Sequence, residues 1–191
     1  MKNVLVLGAG GNIARLVTAQ LAPRAGVRLT LLARSARRLG PPPAGARVVE
    51  GSVLDYEVLK AAVAGQDLVY ANRAGDLEAM ARNIVRAMQE TGVRRLIFIS
   101  SIGICDEPLN PGLRPYRRAA DALEASDLEY TILRPTWFSS ADEVDYETTQ
   151  KGPPEQGSVI SQRSLAAFIT RLIEAPEQYR RAKLGIHKPG S

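Results

Sequence analysis

The stretch that most constrains the fold is Val4-Leu5-Val6-Leu7-Gly8-Ala9-Gly10-Gly11-Asn12-Ile13-Ala14-Arg15. Its apolar start reads as a strand and its glycines as a tight turn. From Asn12 onward, Ile13, Leu16, Val17 and Leu21 fall on one face of a helix that stops near Pro23 and Gly26. Strand, glycine turn, helix is the order that holds the pyrophosphate of a dinucleotide. One glycine makes the turn, another lets the backbone approach the phosphates, and the helix N-terminus offers free N–H groups and a positive dipole end. The spacing fits G-x-G-x-x-G imperfectly, because Ile13 stands where the third glycine belongs. Gly8, Gly11 and Ala14 satisfy G-x-x-G-x-x-[GA] throughout. A βα turn without a ligand produces the same pattern, so the rest of the chain has to decide.

Further strands are expected at Val27 to Ala33, Arg47 to Glu50, Asp67 to Ala71, Val93 to Ser100 and Leu128 to Leu133, with a short last one at Lys183 to His187. Between them come a short basic helical segment ending at Leu39 and the Gly40-Pro41-Pro42-Pro43 loop. Asp55 reads as the N-cap of a helix carrying Val58, Leu59, Ala62 and Val63. Leu77, Met80, Ile84 and Met88 recur at helical spacing as core, closed by Gly92. A helix is expected from about Tyr116 to Ala125, and one capped by Ser161 carries Leu165, Phe168, Ile169, Leu172 and Ile173. Ser139 to Gly157 reads as one long polar loop, its acids Asp142, Glu143, Asp145 and Glu147 solvated.

Strands alternating with helices over short connections imply a parallel sheet with helices on both faces. Right-handed crossovers then place every strand C-terminus on one edge, where such sheets bind ligands. That edge carries the Gly8–Ile13 turn, Arg34-Ser35, Ser52-Val53, Asn72-Arg73, Ser100-Ser101 and Pro135 to Phe138.

Composition narrows the class. The 191 residues are most simply one domain, numbered 1–191, with a small substrate-side portion from about residue 135. The net charge of +5 raises nucleic acid as a partner, yet the arginines are scattered in short groups with no aromatic-interleaved patch or basic helix. A single cysteine, Cys105, cannot form an internal disulfide and fits a reducing compartment. No apolar run spans a bilayer and no leader pattern precedes the first strand. The expectation is a cytoplasmic protein with a small-molecule substrate and neither nucleic acid nor membrane as partner. A homodimer or a regulatory protein partner stays open.

Arg34 is the most informative single residue. At the end of the second strand, NAD sites hold an acid against the ribose 2′-OH. Here Ala33 is followed by Arg34, and VRLTLLARSARR contains no acid. An arginine there pairs a 2′-phosphate through forked, charge-assisted hydrogen bonds, with Ser35 and Arg38 in position to help. NADP(H) is therefore expected over NAD(H). The competing reading of Arg34 is a plain surface arginine on a basic turn.

With LLARS, GSVLD, RRLIFISS and LEYTILRP added to the glycine turn, nearly the whole chain resembles the atypical short-chain dehydrogenase/reductases. Within them it is most similar to the small NAD(P)H-binding, NmrA-like proteins related to biliverdin-IXβ (flavin) reductase. The resemblance implies a Rossmann-type, doubly wound, mainly parallel sheet in three α/β/α layers, with NADP(H) along the edge named above. It places Gly8, Gly10, Gly11, Asn12 and Ile13 at the pyrophosphate and Arg34 at the 2′-phosphate. Ser52 and Val53 would flank the adenine, although the family more often has Asp where Ser52 stands. Ala71, Asn72 and Arg73 would line the middle of the cofactor, with Ser100, Ser101, Pro135 and Thr136 near the nicotinamide.

One departure matters for chemistry. Active short-chain reductases pair a serine with a tyrosine and a lysine four residues beyond it, which tunes the tyrosine as proton donor. Ser101 takes the serine position and Tyr116 is the tyrosine in the right neighbourhood, but Ala120 stands where the lysine belongs. Arg117 and Arg118 lie near that position, and an arginine stays charged. Tyr116 is equally readable as a packing residue. Trp137 and Phe138 read either as a stacking surface for a flat substrate or as packing under the long loop. His187 and Cys105 have no catalytic partners in the pattern, and no Cys/His spacing marks a metal site. Two functions follow as expectations. One is an NADPH-dependent oxidoreductase acting on a flavin, quinone or tetrapyrrole; the other is a non-catalytic NADP(H) sensor acting through a protein partner. An epimerase is disfavoured for want of a base.

Overall fold

The computed structural model describes residues 1–72, 75–150 and 155–191. Its centre is β1 (Lys2–Leu7), which pairs in parallel with β2 (Val27–Ala33) from Lys2↔Val27 to Leu7↔Leu32. On its other side β1 pairs in parallel with β4 (Leu68–Ala71). Side chains alternate across this strand: Val4 and Val6 enter one core, Leu5 and Leu7 the other. Burial on both faces is why the strands read as apolar runs rather than as alternation.

With β3 (Arg47–Glu50), β5 (Arg95–Ile99), β6 (Glu129–Pro135), β8 (Glu147–Gln150) and β10 (Ala182–His187), the sheet runs β3-β2-β1-β4-β5-β6-β10-β8. All neighbours are parallel except β10 and β8. Helices α1 (Asn12–Leu21) and α5 (Gln162–Glu174) pack on one face. Helices α2 (Tyr56–Val63), α3 (Leu77–Thr91) and α4 (Arg114–Glu124) pack on the other. The chain is a Rossmann-like single α/β domain. No helix among the described residues is long and apolar enough to cross a membrane.

Local chemistry sets the helix ends. The Asp55 carboxylate accepts from Val58 N, Asp76 from Ala79 N, and the Ser161 hydroxyl from Ser164 N. Gly92, at φ +76°, closes α3 in the left-handed region. Helix α4 begins at Arg114, two residues before the expected start, since Pro115 is compatible with a first turn.

The stretch Ser139 to Gly157 departs from the expected single loop. It contains β8, which joins the sheet edge antiparallel to β10 through Leu184↔Gln150 to His187↔Glu147. Just before it, β7 (Trp137–Ser139) pairs with β9 (Val159–Ser161) in a separate two-stranded sheet. The sequence ETTQ of β8 offers no buried apolar residue to reveal it; backbone pairing at an edge is what makes it a strand.

Doubly wound order creates the site. From β1 the chain winds out through β2 and β3, then returns to β4 on the opposite side of β1. The connections leaving β1 and β4 therefore diverge, and a crevice opens between them at the C-terminal edge.

Candidate functional site

That crevice is built on the turn after β1. Gly8 has φ +75°, and its N–H and that of Ala9 both donate to Leu32 O at 3.1 and 3.2 Å, pinning the turn to β2. Gly11 N donates back to Gly8 O at 3.0 Å and takes the N-cap position of α1. No side chain caps this helix, unlike α2, α3 and α5, and no acid stands in its first turn, unlike α2 and α3. Helix α4 shares both features, but the α1 terminus is the one that opens on the crevice, where its first-turn N–H groups and positive dipole end suit an anion. A Cβ on Gly11 would lie 2.7 Å from Asn72 Nδ2, so the turn and the end of β4 touch only because Gly11 has none. A Cβ on Gly10 would meet only Leu39 Cδ2, at 3.9 Å, so nothing within the protein demands that glycine. A backbone bared toward the crevice without internal need fits a ligand that comes close.

A cavity of about 620 Å³ opens there, lined by Gly8, Gly10, Gly11, Ala33, Arg34, Ser35, Arg38 and Asn72. Except for Ala33, each of these is an expected cofactor residue. Arg34 and Arg38 are exposed, and no acid stands among the lining residues. Among the other expected residues, Asn12 is exposed at the start of α1, whereas the side chains of Ile13, Ala71 and Val53 are buried in the core. Asn83 Nδ2 donates to Val53 O at 3.1 Å, and Ser52 Oγ accepts from Leu54 N within its own turn. Arg73 lies outside the described residues.

Toward the far end of the edge, Ser100 is buried with no partner for its hydroxyl among the described residues, while Ser101 Oγ donates to Ile102 O. Thr136 N and Oγ1 both donate to Ile186 O, tying the end of β6 to β10. Pro135 closes β6, and beyond it Trp137 and Phe138 are 79% and 48% exposed. Tyr116 is half-buried and packs against the core on the α4 side; Ala120 is fully buried there. Arg117 donates to Asp121 and to Ile104 O, and the bond from Asp121 raises its pKa above the usual arginine value. Arg118 pairs with Glu78. Both arginines are engaged in tying the α4 layer together, and Ala120 stands where a lysine would pair with Tyr116. Among the described residues no group of His, Cys, Asp and Glu is placed to hold a metal.

Sequence reading missed two groups at this site. Glu50 Oε2 accepts from Ala36 N at 2.9 Å, and the Arg15 guanidinium donates to Arg38 O. Farther along the edge, buried Arg134 pairs with Glu155, whose other oxygen accepts from Gly103 N at 2.7 Å. A charged residue inside the apolar run YTILRP was the only hint of that pair.

A family model described as NAD(P)H-binding matches residues 8–176, from the first glycine of the turn to just past α5. The chain belongs to this NAD(P)H-binding family. Its fold superposes on a Rossmann-fold NAD(P)-binding family protein from Shigella flexneri with a TM-score of 0.94 at 47% identity, covering 100% of this chain and 95% of the other. A short-chain dehydrogenase/reductase from Veillonella parvula, solved in complex with NADP, gives 0.90 at 27% identity over 99% and 95% of the two chains. In sequence, the chain is 30% identical over 138 residues to the (4-alkanoyl-5-oxo-2,5-dihydrofuran-3-yl)methyl phosphate reductase of Streptomyces griseus, 72% of this chain and 48% of that protein. The chain thus spans about half the length of the curated relatives it matches.

Membership makes the turn testable. Gly11→Ala is expected to displace Asn72 and weaken dinucleotide binding by roughly tenfold, about 1.4 kcal/mol. The melting temperature of the ligand-free protein should move little, because the atom in the way is the amide tip of the Asn72 side chain and not backbone. A fluorescence titration beside a thermal melt checks both halves.

Proposed function

We propose that this protein is an NADPH-dependent oxidoreductase that passes hydride to a flat, conjugated acceptor such as a flavin, quinone or tetrapyrrole. The observation that carries the cofactor half is the cavity lining, in which the glycine turn is followed by Arg34, Ser35 and Arg38 with no acid among them. Such a lining favours the dianionic 2′-phosphate of NADP(H) over the bare hydroxyl of NAD(H). The NADP complex of the Veillonella relative and the reductase name of the Streptomyces relative support the same reading.

A nicotinamide bound along this edge would supply the hydride. The chain's own part is to bind and orient. Gly8, Gly10, Gly11 and the α1 N-terminus hold the phosphates; Asn72, Ser100 and Thr136 border the path onward. With Ala120 where the lysine would stand, no lysine is placed to work with Tyr116, and in this reading the proton comes from solvent. A flavin or quinone tolerates this, since its reduced form is protonated readily from water. Exposed Trp137 and Phe138 beyond β6 offer aromatic faces to such an acceptor.

A screen of NADPH oxidation with flavin, quinone and tetrapyrrole acceptors is expected to show turnover well above buffer with at least one class. No turnover with any of them, beside tight NADP(H) binding, would instead favour a sensor that works through a protein partner. The packed Tyr116 and buried Ala120 are the observations on that side. A sensor requires that NADP⁺ and NADPH change the partner's affinity by unequal factors.

A further inference from the structure

Ser35 stands at the N-cap position of the short 3-10 turn Ala36–Leu39, with extended φ/ψ of −148° and 117°, yet its side chain caps nothing. A serine at such a position ordinarily spends its hydroxyl on a backbone N–H of the turn it precedes. Here the Ala36 N–H is taken by the Glu50 carboxylate, reaching across from the end of β3 at 2.9 Å. Register explains the reach: Ala33 pairs with Glu50, and Gly51 N continues the ladder to Ala33 O at 2.9 Å. At the other end of the turn, the Arg15 guanidinium from α1 donates to Arg38 O. Two side chains from different elements therefore hold the backbone between Arg34 and Arg38, and neither residue lines the cavity.

We infer that Glu50 and Arg15 are positioning residues for recognition of the 2′-phosphate: by holding the backbone of residues 36 and 38, they fix the turn that carries Arg34, Ser35 and Arg38 in the conformation that lines the cavity. The inference rests on the assignment of the Arg34 end of the cavity to the 2′-phosphate. Glu50 carries a charge of the wrong sign for a phosphate, so its value at this place lies in geometry. Without it the Ala36 N–H loses its tie to the end of β3, and the turn is less firmly held in the conformation that aims its arginines.

The test compares dissociation constants for NADP⁺ and NAD⁺ in the purified protein. Glu50→Ala and Arg15→Ala are each expected to weaken NADP⁺ by about three- to tenfold while moving NAD⁺ by less than about twofold. Glu50→Gln, whose amide oxygen still accepts from Ala36 N–H, is expected to restore NADP⁺ binding to wild type or better. A purely structural role would lower the melting temperature and weaken both dinucleotides alike. An NADP⁺/NAD⁺ ratio unchanged in both alanine variants overturns the inference, as does tighter NADP⁺ binding in Glu50→Ala, which would make Glu50 a repulsive charge only. Arg34→Glu is measured alongside. If that variant collapses the ratio while the other two leave it intact, the phosphate assignment stands and the positioning role falls. If Arg34→Glu leaves the ratio unchanged, the assignment falls and the inference with it.

Discussion

Arg34→Glu is expected to weaken NADPH binding by at least about 100-fold and to leave NADH binding within a few-fold of wild type. Hydrogen bonds to charged groups contribute about 1.5–3 kcal/mol each, a factor of roughly 10 to 150 in affinity. Reversal to glutamate adds repulsion against the 2′-phosphate in a lining that otherwise contains no acid. It also restores the residue type that meets a ribose 2′-OH, so the preference itself is expected to invert. Arg34 is exposed at the end of β2 and is not packed in the core, so the change should cost little stability. Because that exposure also admits salt screening, titrations at low and high ionic strength should differ more for NADPH than for NADH. Equal affinities for the two cofactors in wild type and variant would show that Arg34 is only a surface charge.

Glu155→Ala is expected to have the largest effect on stability. Its carboxylate pairs with Arg134, whose side chain is 1% exposed, and accepts from Gly103 N in the loop after β5. Among the described residues Arg134 Nε and Nη2 have no partner, and this carboxylate is the one anion paired with the guanidinium. Removing one member of a buried pair typically costs about 3–5 kcal/mol, because the remaining charge stays out of water. For a chain of this length that is a fall of about 6–20 °C in melting temperature. Glu155→Gln keeps an acceptor for Gly103 N but loses the charge, and should fall between. The double change Arg134→Met with Glu155→Leu removes both charges and should recover most of the loss. A loss below about 1 kcal/mol in denaturant unfolding of Glu155→Ala would mean that the Arg134 guanidinium reaches solvent.

These two residues also mark what the sequence makes legible. Arg34 could be located because a strand end beside a short turn always falls on the ligand edge of a parallel sheet, and β2 ended at Ala33 as its apolar run implied. The caps Asp55 and Ser161 were legible for the same reason: their bonds reach only three residues along the chain. Contacts such as Arg134 with Glu155, Arg15 with Arg38 O and Glu50 with Ala36 N join segments that only the folded sheet brings together. No periodicity carries them. Strand β8 stayed hidden for a related reason, since ETTQ is held by its antiparallel ladder with β10 and not by a buried face. An edge position does not by itself tell which way a side chain turns: that of Val53, three residues past β3, is fully buried.

The cavity draws its walls from residues 8 to 11, 33 to 38 and 72, which meet only when β1, β2 and β4 are paired. A ligand that needs all three walls has nothing to hold in the unfolded chain, so its binding energy is added to the folding energy. At 100 times its Kd such a ligand lowers the unfolded population about a hundredfold, by about 2.7 kcal/mol. The glycine turn thereby ties the lifetime of the protein against proteolysis to the level of the dinucleotide around it.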